Sequence, residues 1–351
     1  MERLVRSCYK QGGYVFAKKA GSRSHGAGQD RIARLASNEN PEAPSPSAVA
    51  AAQQAVPLAN RYPDERVDVL ISALKAIYGD HSFVTGVGMD GVIETLMRTL
   101  VEPGETVAIS TPTFSFYSLA AQAQGAKVVT VPRRADFSVD TDALVRAGKD
   151  AKIVVLCTPN NPTGNATSVE DVKKVLDGID GILFLDNAYV EFSGIDYIPL
   201  MKKYENLVIG RTFSKVYSLA GLRIGYAFVP SWLQPFYIRA GTPFTVNTVS
   251  AAAAAAALSD KDHAAKYIAQ VQAWRKRFCT ELKFPVLPSD ANFVMVDVAP
   301  HTGDEVVEKL AARGVLVRSC RSFTGLADHY IRVSVGENWE NELFIREINA
   351  L

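Results

Sequence analysis

The sequence predicts an α/β protein in which a mixed, mostly parallel sheet is covered by helices and is followed by a smaller α+β domain. From residue 44 onward, helix-like stretches alternate with short β-branched runs, several of them apolar throughout, which is typical of strands buried on both faces. The length of 351 residues is enough for two domains. We therefore expect an N-terminal arm over residues 1–42, a large domain over 43–240 and a small domain over 241–351.

The large domain is predicted to be built from strands separated by helices. Such an order favours parallel pairing, because each helix can return the chain across the face of the sheet. In chain order we predict helix 67–78, strand 83–85, helix 91–100, strand 107–110, helix 116–123, strands 127–131 and 153–157, helix 169–176, and strands 182–186, 206–211 and 224–229.

The predicted small domain contains an alanine run at 251–257. Alanine is the best helix former and packs closely, so this run predicts a core helix. After it we expect a long polar helix to about residue 282, strand 293–298, helix 304–313 and strands near 315–317 and 330–334. The first forty residues are rich in Gly, Ser, Lys and Arg, which predicts an extended arm or a disordered tail.

Charge and cysteine content exclude several classes of protein. Lys and Arg number 38 against 37 Asp and Glu, so the net charge is +1 and neither nucleic acid nor an anionic membrane is an expected partner. The cysteines at 8, 157, 279 and 320 form no CxxC pair and have no histidine at metal-ligand spacing, so we expect no disulfide scaffold and no metal site. No uncharged apolar run reaches the roughly 20 residues of a membrane span, and the expected location is a reducing cytoplasm.

Informative loops follow the predicted strands, at the edge where open α/β sheets bind ligands. They read GVGMDG, TPTF, TPNNPTG, DNAY and TFSKVYSLAGLR. The first matches the G-x-G-x-x-G pattern of dinucleotide-binding loops, but no carboxylate stands near residues 110–111, where the ribose-binding acid is expected. What remains is a glycine-rich helix N-terminus, which favours a phosphate group.

Lys215 lies in a turn between two predicted strands, close in sequence to the phosphate-directed donors Thr212, Ser214 and Arg223. Asp186 ends an apolar strand, where a carboxylate is unfavourable unless it is paired. A lysine beside a phosphate site and a buried carboxylate is what Schiff-base chemistry with pyridoxal phosphate requires, since the carboxylate keeps the pyridine nitrogen protonated. These residues therefore predict a pyridoxal-phosphate enzyme.

Several motifs occur along the chain in the order NRYP, G-x-D, PNNPTG, DNAY and SKxxxLAGLRxGY. In this order and at these intervals they resemble the fold-type I pyridoxal-phosphate aminotransferases. ASNENPEAPSP near the beginning and IRVSVGENWEN near the end resemble the histidinol-phosphate aminotransferase branch of that family. The resemblance covers nearly the whole chain from about Leu35 and implies a large domain like that of aspartate aminotransferase.

The resemblance assigns roles to five of the loop residues. Lys215 matches the lysine that bonds the cofactor and then moves the proton between the substrate carbon and the cofactor, and Asp186 matches the partner of the pyridine nitrogen. Asn161 and Tyr189 match the pair that hydrogen-bonds the phenolic oxygen of the cofactor. Phe114 matches the aromatic residue stacked on its ring, where many relatives have tyrosine; stacking needs only the π face.

The resemblance also implies a phosphate site and a homodimer. The residues that would hold the phosphate, through backbone N–H groups or side chains, are Gly88, Met89, Asp90, Thr212, Ser214 and Arg223. Tyr62 of NRYP matches a tyrosine that reaches the phosphate in the neighbouring subunit, so that a complete site would need both chains. Relatives commonly have an acid where Gly91 stands here, which weakens the start of the helix but removes no phosphate donor.

Two arginines and a tyrosine mark the substrate end of the site. Arg332 matches the family arginine that binds the anionic tail of the substrate, and Arg318 matches a second arginine of the histidinol-phosphate branch. Tyr14 matches a tyrosine of an N-terminal arm that closes over the substrate. A guanidinium binds a carboxylate or a phosphate equally well, and two of them favour a dianionic phosphate.

We therefore expect transamination between L-glutamate and imidazole-acetol phosphate by a ping-pong route, with 2-oxoglutarate as the keto acid. Two alternatives share the cofactor and the fold: decarboxylation of threonine phosphate in corrinoid synthesis, and aromatic or broad-specificity transamination. A cofactor-binding regulator without catalysis is disfavoured, because no DNA-binding domain is appended and Lys215 is present.

Overall fold

The computed structural model describes residues 2–10, 13–16 and 31–351, so residues 1, 11–12 and 17–30 of the predicted arm lie outside the described ranges. The strands in chain order are β1 (Ala33–Arg34), β2 (Ser82–Val87), β3 (Thr106–Thr111), β4 (Lys127–Pro132), β5 (Ile153–Cys157), β6 (Ile182–Asp186), β7 (Leu207–Thr212), β8 (Ile224–Val229), β9 (Phe293–Asp297), β10 (Val315–Leu316), β11 (Arg318–Ser319) and β12 (Tyr330–Ser334). The α-helices in chain order are α1 (Pro46–Ala55), α2 (Asp68–Tyr78), α3 (Gly88–Leu100), α4 (Phe116–Ala123), α5 (Thr141–Gly148), α6 (Val169–Gly178), α7 (Gln234–Ala240), α8 (Thr248–Ser259), α9 (Lys261–Glu281), α10 (Gly303–Ala312) and α11 (Asn338–Asn349).

Seven strands form one sheet in the order β2-β8-β7-β6-β5-β3-β4. β8 pairs antiparallel with β2 and β7, and the other pairs are parallel. Both faces of the sheet are covered: Leu183 and Leu185 of β6 pack into the core on one face, and Phe184 packs into the core on the other. The predicted mixed, mostly parallel sheet covered by helices is therefore confirmed.

Helices cover the two faces of the sheet unequally. α1, α2, α5, α6 and α8 contribute side chains to the core on one face, and α3, α4 and α7 contribute to the core on the other. The helix predicted at 91–100 begins earlier, at Gly88, where a left-handed φ of 67° turns the chain from β2 directly into α3. No helix in the described ranges is long and apolar enough to cross a membrane.

The alanine-rich helix α8 packs with the large sheet, against α1 and α2. Its buried residues Ala251, Ala253, Ala254, Ala257 and Leu258 belong to the same core as Leu183 and Leu185 of β6. Alanine side chains allow this close helix packing, but an alanine-rich sequence does not indicate which domain the helix packs against. The boundary at residue 241 stays a prediction, and from the packing of α8 we propose that the large domain extends to about Ser259.

The small domain is an antiparallel sheet in the order β11-β12-β9, with α9, α10 and α11 packed into its core. The strand expected near 315–317 is divided into β10 and β11, and the second of these carries Arg318. β1 pairs in parallel with β10, with Ala33 opposite Val315. The part of the predicted arm that contains β1 is therefore hydrogen-bonded to the small domain. The segment after β1 consequently lies between the two domains.

Candidate active site

A cavity of about 510 Å³ lies where the loops after the large-sheet strands meet the small domain and the segment 14–16. Its position follows from the topology, because the carboxyl ends of parallel strands share one edge of the sheet. The predicted site residues that line it are Tyr14, Met89, Asp90, Phe114, Asn161, Asp186, Tyr189, Thr212, Ser214, Lys215, Arg223, Arg318 and Arg332. Two predicted residues, Gly88 and Tyr62, do not line it.

Asp186 is the last residue of β6 and is almost fully buried. Its Oδ2 accepts a hydrogen bond of 2.6 Å from the Tyr117 hydroxyl, and its Oδ1 accepts one of 2.9 Å from the Ala188 backbone N–H. Burial raises the pKa of Asp186 to about 6, although both hydrogen bonds act to lower it. Because both donors are neutral, a cationic ligand group in the cavity would stabilise this carboxylate.

Lys215 lies in the turn between β7 and β8, and its side chain lines the cavity. Its Nζ is 3.5 Å from the Ser37 carbonyl oxygen and 5.5 Å from the centre of the Tyr189 ring. Burial lowers the pKa of Lys215 to about 8, and the positive charge of Arg332 acts in the same direction. The lowered pKa increases the neutral fraction of the amine, which is the form that attacks a carbonyl group.

Phe114, Asn161 and Tyr189 offer a flat apolar surface and two polar groups to the cavity. Asn161 Oδ1 accepts a hydrogen bond from Arg332 Nη1, and this bond orients the amide. The Tyr189 hydroxyl accepts a hydrogen bond of 3.1 Å from Asn38 Nδ2, and burial raises the pKa of Tyr189. An aromatic ring with a polar oxygen could be held between such groups.

The N-terminus of α3 and Arg223 form the part of the cavity that is suited to a phosphate. A Cβ at Gly88 would lie 2.5 Å from Arg223 Nη2 and would displace the guanidinium, and the φ of 67° at this position also favours glycine. Arg223 Nη2 donates to Asp90 Oδ2 at 2.9 Å; burial raises the pKa of Asp90, and Arg223 opposes that shift. α3 has no side-chain cap, which leaves its first N–H groups for a ligand. Thr212 Oγ1 accepts the Ser214 backbone N–H at 3.1 Å, which orders the adjacent turn.

Arg318 and Arg332 are directly paired residues of β11 and β12, and both are almost buried. Side chains paired in this way project from the same face of the sheet, and both guanidinium groups reach the cavity. Arg332 Nη2 donates to the Ala36 carbonyl oxygen at 2.8 Å, while its buried Nε has no hydrogen-bond partner in the described part of the chain. Burial lowers the pKa of Arg318, and the charge of Arg332 adds to that effect. An anion at this position would compensate both charges.

The N-terminal segment 13–16 closes one side of the cavity. Arg318 Nη2 donates to the Val15 carbonyl oxygen at 2.6 Å and to Ser322 Oγ at 3.1 Å. The ring of Tyr14 lies edge-on to Phe114, with 5.7 Å between the ring centres. The structure therefore brings Tyr14 to the same cavity as the two arginines.

Tyr62 lies outside the cavity of its own chain. Its side chain is 83% exposed and its ring stacks on Phe244, with 4.7 Å between the ring centres. A contact between its hydroxyl and a ligand phosphate would therefore have to be made in a second chain. The role given to Tyr62 in a neighbouring subunit stays a prediction.

Tyr117, Cys157 and Asn38 also line the cavity but were not predicted from the sequence. Tyr117 follows TPTF at the start of a predicted helix, and Cys157 ends the strand that pairs with β6. Both could have been found from the rule that ligands bind beyond strand ends. Asn38 belongs to the ASNEN motif, but its bond to Tyr189 joins residues 151 positions apart, which no local pattern signals.

Known proteins are similar to this chain in sequence and in architecture. The family model for aminotransferase class I and II matches residues 30–348. Histidinol-phosphate aminotransferases of Methanoculleus marisnigri and Methanosphaerula palustris are 62% and 56% identical, and each alignment covers 100% of both proteins. The crystal structure of histidinol-phosphate aminotransferase from Sinorhizobium meliloti in complex with pyridoxal-5′-phosphate is 29% identical, with a TM-score of 0.83 over 91% of each chain. This chain therefore belongs to the aminotransferase class I and II family.

Proposed function

We propose that this protein uses pyridoxal phosphate to transfer an amino group between glutamate and imidazole-acetol phosphate, the histidinol-phosphate:2-oxoglutarate reaction. The observation that carries the proposal is the pair of nearly buried guanidinium groups, Arg318 and Arg332, in the same cavity as Lys215. Two arginines can match the charge of a phosphate dianion, whereas a carboxylate needs only one. Relatives of 62% and 56% identity that carry the name histidinol-phosphate aminotransferase support the same substrate.

The side chains of the cavity fit the cofactor. Asp186 is a buried carboxylate whose hydrogen-bond partners, Tyr117 and Ala188, are neutral, and a protonated ring nitrogen would supply the missing positive charge. Gly88 leaves space for Arg223 beside the N-terminus of α3, where a phosphate would be held. When bound, pyridoxal phosphate supplies a conjugated ring that accepts the electrons of the bond broken at the substrate carbon.

Each group of the cavity then has a distinct task in transamination. Phe114 would cover the cofactor ring, while Asn161 and Tyr189 would bind its phenolic oxygen. Lys215 Nζ would hold the cofactor and, once released, would move a proton from the substrate carbon that bears the amino group to the cofactor carbon that receives it. The lowered pKa of Lys215, about 8, leaves a useful fraction of the amine free to accept that proton near neutral pH.

The two arginines would accept both substrates of the ping-pong cycle in turn. Arg332 is oriented by Asn161 and by the Ala36 carbonyl oxygen, so it is placed to bind the anionic group that glutamate and the phosphorylated substrate both present. Arg318 would add the second positive charge that a phosphate dianion requires. Tyr14 would exclude water from this end of the site.

We further propose that the protein acts as a cytoplasmic homodimer. Tyr62 is exposed beside Phe244 and lies outside the cavity of its own chain, so in a dimer its hydroxyl would be free to reach the cofactor phosphate of the partner. The aromatic stack would fix the direction of the Tyr62 side chain before the partner binds.

The test is an amino-donor assay of the protein loaded with pyridoxal phosphate. Glutamate, histidinol phosphate, threonine phosphate and phenylalanine are supplied one at a time, and the absorption of the cofactor and any released carbon dioxide are recorded. We expect conversion of the cofactor by histidinol phosphate and glutamate without carbon dioxide. Release of carbon dioxide from threonine phosphate would favour the decarboxylase, and faster conversion by phenylalanine than by histidinol phosphate would favour aromatic transamination.

A further inference from the structure

Asn38 is buried where the segment after β1 passes between the two domains. Its exposed fraction is 1%, and its φ of 53° lies in the left-handed region, which asparagine tolerates better than most residues. Its backbone N–H donates to Ser334 Oγ at 2.8 Å, and its carbonyl oxygen accepts from Asn292 Nδ2 at 3.1 Å. Two residues of the small domain therefore fix the backbone of Asn38.

The side-chain amide of Asn38 is bonded at both ends. Ser334 Oγ donates to Asn38 Oδ1 at 3.2 Å, and Asn38 Nδ2 donates to the Tyr189 hydroxyl oxygen at 3.1 Å. The Ser334 hydroxyl accepts the Asn38 backbone N–H, so its own proton is available for Oδ1. This pattern assigns Oδ1 to the Ser334 side and leaves the donor Nδ2 facing Tyr189.

We propose that Asn38 is a positioning residue that directs the Tyr189 proton toward the phenolic oxygen of bound pyridoxal phosphate; this inference rests on the proposed function. A phenol hydroxyl has one proton, and that proton cannot point at the N–H group from which the same oxygen accepts. The proton is therefore turned to the other side, toward the cavity that Tyr189 lines. Burial raises the pKa of Tyr189, so the hydroxyl keeps its proton near neutral pH.

The consequence is a change in the basicity of the nitrogen that joins Lys215 to the cofactor. A hydrogen bond donated to the phenolic oxygen stabilises its anionic form and withdraws electron density from the conjugated ring and from that nitrogen. Asn38 touches neither Lys215 Nζ nor Asp186 by any hydrogen bond in the described part of the chain. The carbonyl oxygen of the preceding residue, Ser37, lies 3.5 Å from Lys215 Nζ, but the side chain of Asn38 reaches the cofactor site through the Tyr189 hydroxyl. The effect of its side-chain amide should therefore pass through that hydroxyl.

The experiment measures the pH at which the visible absorption of the cofactor-loaded protein titrates. Asn38→Asp keeps the shape of the side chain but replaces the donor by an acceptor, so it attracts the Tyr189 proton. We expect the titration to move upward by about one pH unit, close to the shift caused by Tyr189→Phe. Glycine also adopts the left-handed backbone conformation of residue 38. Asn38→Gly removes the amide donor without adding an acceptor, so the Tyr189 proton is no longer directed and the titration should move upward by a smaller amount.

The deciding experiment compares the titration shift caused by Asn38→Asp in the wild-type protein with the shift that it causes in Tyr189→Phe. If Asn38 acts through the Tyr189 hydroxyl, the second substitution adds no further shift. An equal shift in both backgrounds would indicate a direct effect of the new charge and would overturn the proposal. Unchanged titration in both Asn38→Asp and Asn38→Gly would overturn it as well. A wild-type protein that shows no visible cofactor band would instead contradict the proposed function, which separates the two failures.

Discussion

The cavity wall has a cofactor part and a substrate part, and the chain builds them in different ways. Asp186 ends β6, and Lys215 and Arg223 lie between β7 and β8, so all three stand at one edge of the large sheet. Arg318 and Arg332 come from the small domain, whose position relative to the sheet depends on contacts far apart in sequence. Under the proposed function, the comparison predicts that residues at the edge of the sheet determine the type of reaction, while the packing of the second domain determines which substrate is accepted.

The two parts also differ in the charge of the ligand group that each one needs. In the cofactor part, burial raises the pKa of the Asp186 carboxyl to about 6, and a cation would stabilise its charged form. In the substrate part, burial lowers the pKa of the Arg318 guanidinium, and an anion would stabilise the charged form of that group. A ligand assembly with a cationic ring nitrogen and an anionic tail satisfies both parts at once.

Lys215→Ala should have the largest effect, because it removes both the link to the cofactor and the proton carrier from the cofactor part. We expect the rate of amino transfer at saturating substrate to fall about 10³-fold or more. Single-turnover absorption of the cofactor measures that rate. Lys203→Ala changes an exposed lysine paired with Asp177 and serves as the control. Turnover of Lys215→Ala at the wild-type rate would show that the cofactor part is not the catalytic one.

Arg318→Ala and Arg332→Ala should separate the two substrates. Loss of Arg318 leaves one guanidinium for a phosphate dianion, so binding of histidinol phosphate should weaken by roughly 2–5 kcal/mol while glutamate binding changes much less. Loss of Arg332 should impair both half-reactions. KM values for each substrate measure the difference.

The matched control for these two variants is Arg321→Ala. Arg321 is 73% exposed, pairs with Asp304 at 3.0 Å and does not line the cavity, so its loss should leave both KM values unchanged. Equal losses for the two substrates in Arg318→Ala would mean that Arg318 does not bind the phosphate. Aromatic or broad-specificity transamination would then become the better interpretation.

The same contrast explains what the sequence could and could not predict. Lys215, Asp186 and Arg223 were predicted because each stands beside a strand end within a short motif, and strand order brings those ends together. Asn38 was missed because its partner Tyr189 is 151 residues away. The resemblance to a known family, not the spacing, supplied Arg318.

Helices show the limit of local signals in another way. The alanine run predicts α8 as a helix, but only the packed structure places it on the large sheet. α1 was not predicted, although Ser45 caps it and Pro46 stands at its first position, both ordinary start signals. Its alanine-rich sequence gives little amphipathic contrast, so the face that packs against α8 is not evident from the sequence.

Asp186→Asn should alter the pH dependence of stability in the cofactor-free protein. The pKa of Asp186 is raised from 3.8 to about 6, so the folded state binds this proton more tightly than the unfolded state. The stabilising contribution is therefore complete below about pH 4 and is lost as the pH rises through about 6. Relative to Asp186→Asn, the free energy of unfolding of the wild type should fall by roughly 3 kcal/mol over that window. Urea unfolding at several pH values measures it, and parallel curves for the two proteins would contradict the raised pKa.

Hybrid dimers should give the smallest effect. They extend the comparison to a third part of the cavity wall, which the partner would contribute in the proposed homodimer. Tyr62→Phe keeps the stack on Phe244 and removes only the hydroxyl, so cofactor binding should weaken by about 1.5–3 kcal/mol, the range for a hydrogen bond to a charged group. In a dimer of one Tyr62→Phe chain and one Lys215→Ala chain, one site combines an intact lysine with an intact tyrosine. We expect mixtures assayed at limiting cofactor to exceed the average of the two parent proteins. Activity equal to that average, with mixed dimers demonstrated by differently tagged chains, would show that each chain completes its own site.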